Sequence, residues 1–472
     1  MALTALAAPI VLSIVLSVMG QGARAHGFEE RYDLPLPLPY VVLAACAVVA
    51  LSFAVLVAFM RDAPAHRLGR CGREIVVPRW LLFVTRGVGW LLFWLGVAAA
   101  LWGSRDPQMN LAPTLVWIVW WLGMGLLSCC VGNVWALFDP WRTTFELLDT
   151  LARRCGRSAG AALGWRWSAA LGLWPAAALL LLWCWLEVVS PLASMPQRLG
   201  LAALAWTLIS LLGMLAFGRV QWQARGDVFA IVFATFSRMA PLHLRVRGES
   251  TEEPQPPSGL PLRGHAAFVI AMLASVIFDG WHGGAVWLRF ELAWRALMPA
   301  GFDVNGHVVG GVGLLAAWLI LLGAYEIALR ASLAALNAHA HVRAHDTSLA
   351  VALVPIAAAY NLAHNFSSAV TQGLSAVQLL SDPFGWQWDV LGTARWAGAS
   401  VLVDARLTWW VAVSAIVLGH VASLWWSHSL VMSRGVDARR AALAMLPLTL
   451  AMLAFTAISL TLIAEPMGQS PR

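Results

Sequence analysis

Residues 38–60 read LPYVVLAACAVVALSFAVLVAFM, and Arg61 and Asp62 follow directly. The run carries no charge over 23 residues. About 20 such residues in a helix suffice to cross the ~30 Å of hydrocarbon in a bilayer. Nine further apolar runs lie downstream, at approximately 80–103, 112–136, 168–188, 199–217, 265–283, 308–329, 347–372, 405–430 and 441–463. The expected fold class is therefore all-α: a polytopic membrane helix bundle of about ten transmembrane helices. Composition agrees. The 472-residue chain is 60% hydrophobic and 12% charged, with a mean hydropathy of +0.73. A soluble domain carries about twice that share of charge.

The net charge of +7 and a pI near 9.6 would suggest a nucleic-acid partner in a soluble protein. Here all 31 basic side chains are arginine, and most fall between the apolar runs, where they report membrane orientation instead. The loops after the first, third, fifth, seventh and ninth runs hold 21 arginines, from Arg61 through Arg142 and Arg219 to Arg440, against 8 on the opposite side. The first set of loops is expected to be cytoplasmic, which places the chain in a bacterial inner membrane with both mature termini outside.

Ahead of the first span, Leu3 to Val18 forms an apolar core and Ala23-Arg24-Ala25 a cleavage site of the A-x-A kind, so residues 1–25 read as a cleaved signal peptide. His26 would then begin the mature protein, and residues 26–37 would form a short external segment. The stretch GESTEEPQPPSGLPLRG, rich in Pro, Glu and Ser, reads as a cytoplasmic linker. It divides the chain into a first five-helix half (38–247), the linker (248–264) and a second half (265–472). No nucleotide-binding loop, CxxC pair or GxSxG elbow occurs. Cys46, Cys129, Cys130 and Cys184 fall in spans, Cys71 and Cys155 in cytoplasmic loops, so no disulfide is expected.

Ionisable residues inside spans cost a few kcal/mol each on insertion scales, so each requires a reason. The eighth span places Asn361, His364, Asn365, Ser368 and Gln372 at helical spacing on one stripe. The ninth carries His420, Ser423 and Ser427 on one face with His428 beside it. The sixth ends SVIFDGWHGG, with Asp279 and His282 three residues apart, and the seventh carries Glu326. Imidazole and carboxylate suit zinc, and imidazole suits copper. Asp279, His364, His420, His282 and the N-terminal His26 are therefore candidate metal ligands, with Asp279, His364 and Asp33 as candidate catalytic groups. An N-terminal histidine offers both its ring and its amino nitrogen. Interhelical hydrogen bonding that merely holds the bundle together is the competing reading of every polar residue here. His339, His341 and His345 read as a solvated loop, Asp139 with Arg142 as a helix break with a local ion pair, and Asp382 with Asp389 as turn residues that could border a site. The tryptophan-rich stretches TLVWIVWWLG and LTWWVAV read as structural, with indoles in spans and near the membrane interfaces.

The set HGFEERYDLPLPL, GNVWALFDPWRTTFELL, SVIFDG, YNLAHNFSSAVTQG, LLSDPFGWQWDVLGTA and GHVASLWWSHS resembles the bacterial membrane proteins known as fenitrothion hydrolases, from His26 to about Glu465. That family often has a further histidine where this chain has Asn361. The resemblance implies an integral membrane hydrolase that cleaves the P–O–aryl bond of apolar organophosphorus triesters, using a divalent metal, zinc or copper. Two alternatives stand beside it: a protein that handles copper or another metal without turnover, and a transporter or scaffold that works with a small partner subunit. No nucleic-acid partner is expected.

Overall fold

The structure, a computed structural model, describes residues 37–60, 73–158, 160–191, 195–246, 263–299, 301–303, 306–336, 347–396, 404–433 and 436–464. The expected signal peptide, His26, Asp33, nearly all of the linker, and His339, His341 and His345 lie outside the described residues.

In chain order the main elements are α1 (Leu38–Phe59), β1 (Arg73–Val77), α2 (Arg79–Trp102), α3 (Leu111–Val131), α4 (Pro140–Arg154), α5 (Trp174–Val188), α6 (Pro196–Phe217), α7 (Val228–Ser237), β2 (Leu242–Val246), α8 (His265–His282), α9 (Ala285–Leu297), α10 (His307–Ala335), α11 (Val354–Ser381), α12 (Ala405–Met432) and α13 (Ala438–Ala464). Among the described residues, nine of these helices are long and apolar enough to cross a membrane: α1, α2, α3, α6, α8, α10, α11, α12 and α13. The chain is thus an all-α, multi-pass membrane protein.

Two spans differ from their sequence reading. The fourth was expected over 168–188, but its helix α5 begins only at Trp174 and holds 15 residues. Gly172 has φ +48°, and a Cβ there would lie 2.1 Å from the Arg263 carbonyl oxygen, so the chain turns before it can coil. Leu173 then donates its N–H to that same carbonyl (2.7 Å), and Pro175 sits where the first helical turn tolerates it. At 1.5 Å per residue, α5 is roughly 22 Å long, short of the hydrocarbon thickness. The eighth span was expected to end near residue 372, yet α11 runs on to Ser381. No glycine-with-proline stop lies in that interval, and the polar residues after 372 continue the helix.

The chain divides into two compact units. One comprises 1–68, 273–367 and 404–472; the other comprises 69–272 and 368–403. In the first, Leu38, Val42 and Ala45 of α1 pack with Tyr360 and Ala363, with Trp409, Ala412 and Ile416 of α12, and with Leu460 and Ile463 of α13. Gly419 sets the approach of α12 to the start of α11: a Cβ there would lie 2.4 Å from the Ala359 Cβ.

In the second unit the core is aromatic. Trp135, Trp141, Trp183, Trp206 and Phe229 are buried and meet Trp120 in a continuous cluster of edge-to-face and tilted rings. The indoles of TLVWIVWWLG that were read as span and interface residues thus include the hub of an internal core. That stretch, Thr114–Gly123, is a π-helix of ten residues, unusually long for a form that normally occurs as single-turn bulges.

The same unit holds a short parallel pair, with β1 Arg73–Val77 in register against β2 Leu242–Val246. Arg245 Nη1 reaches Glu74 Oε1 across it (3.0 Å). The strands belong to loops after the first and fifth spans, which the arginine pattern assigns to one side. Leu163 and Trp165, after the third span, donate to the carbonyls of Leu215 and Ala216 at the end of α6. Ser104, after the second span, donates to the Phe384 carbonyl, and Leu111 to that of Pro383, after the eighth. The backbone therefore groups these loops into the same two sets as the arginine pattern does.

Candidate functional site

The candidate site lies in the first unit, where α8 and the first half of α11 bring two ionisable side chains together. The sequence YNLAHNF keeps a helix through α11 because its polar residues recur at three- and four-residue spacing and leave Tyr360 and Ala363 for the core. His364 falls near the middle of that helix. Asp279 falls in the last turn of α8. His364 Nε2 and Asp279 Oδ2 are 3.0 Å apart, with side-chain exposures of 23% and 37%. The pair is neither sealed in the core nor free at the surface.

Tyr360 completes the arrangement. Its ring lies one helical turn from His364 and nearly parallel to it, at a centroid distance of 6.2 Å and an angle of 19°. Its hydroxyl is buried with no hydrogen-bond partner among the described residues. Gly280 makes this possible, because a Cβ there would come within 2.6 Å of the Tyr360 Oη. Sequence reasoning singled out His364 and Asp279 but missed Tyr360. The signal was its position four residues before His364, on the same helical stripe.

The half-buried His282 ring lies against Phe278 and Trp287, at centroid distances of 5.4 and 5.1 Å, and His282 and Asp279 act electrostatically on each other. The remaining candidates do not join this pair. His420 is 1% exposed, and its Nδ1 lies 2.8 Å from the carbonyl of Ile416, one turn back along α12. Its Nε2 is buried without a partner among the described residues. Ser423 beside it bonds to the Met452 sulfur (3.9 Å). Asn365 Nδ2 donates to Asn361 Oδ1 (2.9 Å), which links these two amides along the stripe. His26 and Asp33 fall outside the described residues. Among the described residues no group of three or more His, Cys, Asp or Glu is placed to hold a metal ion.

In the second unit, Asp382 accepts from the N–H groups of Trp386 and Gln387, and Asp389 from the Ser381 hydroxyl and the Ala394 N–H. Those bonds build the turns of their loop, and the Ala394 and Ser381 donors hold the Asp389 carboxyl below the usual range. Asp139 caps α4 by accepting from the N–H groups of Trp141 and Arg142, while Gln223 donates to its other oxygen (2.8 Å). Arg142 Nε in turn meets Glu146 (2.9 Å), which also meets Arg86 (2.7 Å) and Arg219 (3.8 Å). Asp227 caps α7 in the same manner as Asp139, and its Oδ2 is buried without a partner among the described residues. Burial raises the Asp139 carboxyl to about 6 and, together with the nearby Asp139, the Asp227 carboxyl to about 8.

No protein family, curated protein or solved structure matches this chain in comparisons of sequence and structure.

Proposed function

We propose that this chain is a membrane-embedded hydrolase of apolar organophosphorus triesters, worked by His364 and Asp279 in a bacterial inner membrane. The observation that carries the proposal is the His364–Asp279 contact inside membrane-spanning helices, where an ionisable pair is costly to keep without use. The choice of substrate rests on the resemblance of the six sequence motifs to the fenitrothion hydrolases.

The chemistry follows from the pair. Asp279 accepts from His364 Nε2–H, which fixes the tautomer and leaves the lone pair on Nδ1. Nδ1 has no hydrogen-bond partner among the described residues, so it is open to take a proton from water. Asp279 also stabilises the imidazolium that forms when it does. The attacking hydroxide adds to phosphorus and the aryloxide leaves. A nitrophenolate is stable as an anion, so this step asks little of a general acid.

The Nδ1 lone pair cannot take a proton and hold an ion at once, so His364 stays the base and a divalent ion would be held beside it. Its ligands would come from outside the described residues, with His26 and Asp33 as the candidates. When bound, zinc or copper would supply water of lowered pKa and polarisation of the phosphoryl group.

The test is release of nitrophenol from fenitrothion by the purified full-length chain, supplied with zinc or copper and then treated with chelator. Release that chelator abolishes and metal restores is expected. A well-folded, metal-supplied protein that releases none would overturn the proposal.

A further inference from the structure

The second unit contains a cavity of about 140 Å³. Its wall is the aromatic core: Trp120, Trp135, Trp141, Trp183, Trp206 and Phe229 line it, and the π-helical stretch adds Val116 and Val119. Within that wall the rings touch one another: Trp120 and Phe229 have centroids 4.4 Å apart, Trp183 and Phe229 5.0 Å, and Trp183 and Trp206 5.6 Å. We infer that this cavity is a binding site for a single-ring aromatic molecule arriving from the bilayer.

Polarity excludes water as the occupant. No charged, hydroxyl or amide side chain lines the cavity. The Trp141 N–H is taken by Thr207 (3.0 Å); those of Trp120, Trp135 and Trp183 have no partner among the described residues but are buried and expose no surface to the cavity. Water needs two to four polar partners, and an apolar cavity of this kind stays dry. Size then selects the guest: a cavity of about 150 Å³ lined by apolar side chains accepts benzene. Shape and electrostatics favour an aromatic ring over an alkyl chain, because walls of mixed ring faces and edges attract another ring quadrupole. Access is open, since Val119 lines the cavity and is also exposed at 40%. The π-helix is consistent with use, because that geometry frequently marks functional sites and here supplies part of the cavity wall.

The experiment titrates bromobenzene, a heavy-atom quencher, into the full-length chain in nanodiscs and reads tryptophan emission. Five of the chain's 27 tryptophans line the cavity, so a saturable loss of up to about a fifth of the emission is expected. Ala203→Phe and Val116→Phe each place a ring in the cavity and are expected to abolish the saturable part while leaving the linear, membrane-borne part. Bromobenzene is expected to raise the unfolding temperature of the wild type and not of the filled variants. Equal quenching in wild type and in either folded variant would overturn the inference. Saturation by bromocyclohexane at the same concentration, or by a phosphatidylcholine with brominated acyl chains alone, would overturn the aromatic assignment in favour of a general apolar or lipid-tail site.

Discussion

Replacement of Asp227 by asparagine is expected to flatten the dependence of stability on pH. Asp227 is 2% exposed, one oxygen caps α7, and the other has no partner among the described residues. Its carboxyl stands at about 8 in the folded protein, against 3.8 for an ordinary aspartate. A carboxyl raised in this way binds its proton more tightly folded than unfolded. The resulting stability is fully present below pH 4 and is lost as pH rises through about 8. One unit is worth 1.36 kcal/mol, so the full shift sets a ceiling of about 6 kcal/mol. Relaxation and water entry reduce such penalties to a few kcal/mol. Asparagine keeps the capping oxygen and cannot ionise. The assay is thermal unfolding of detergent-solubilised protein at pH 7 to 9, above the Asp139 value of about 6. The wild type should lose stability across that window and the variant should not. An Asp227→Asn protein with the wild-type slope would refute the reasoning.

Three other outcomes are expected. Gly419→Ala places a Cβ 2.4 Å from that of Ala359 and 2.8 Å from the Pro355 oxygen, and should cost about 1–3 kcal/mol in thermal stability. Glu146→Gln leaves three guanidinium groups without their shared carboxylate; since Glu146 is 34% exposed, the loss should be about 1–2 kcal/mol and should shrink in high salt. Asp279→Asn should lower nitrophenol release about 10²-fold or more with little change in the unfolding temperature, because it removes the group that fixes the His364 tautomer and leaves the helix contact in place.

The spans were legible because twenty uncharged residues in a bilayer have no alternative to a helix, as residues 38–60 illustrate. The short start of α5 was not, because it depends on Gly172 meeting the Arg263 carbonyl far along the chain. The β1–β2 pair was equally hidden: REIVV and LHLRV are too short to announce strands and become strands only beside each other. At the site, helical spacing identified His364 and Asp279 separately, while their 3.0 Å contact depends on how α8 packs on α11. The place of His282 beside Asp279 was legible in the three-residue spacing, whereas the packing of its ring against Phe278 and Trp287 depends on the turn from α8 into α9.

The central claim is that His364 is the working base of a hydrolase. The most direct measurement is the initial rate of nitrophenol release from fenitrothion by the wild-type chain and by His364→Ala, at matched expression and matched unfolding temperature. The account predicts turnover by the wild type and a loss of about 10²–10⁴-fold in the variant. A folded His364→Ala protein that hydrolyses fenitrothion at the wild-type rate would contradict it.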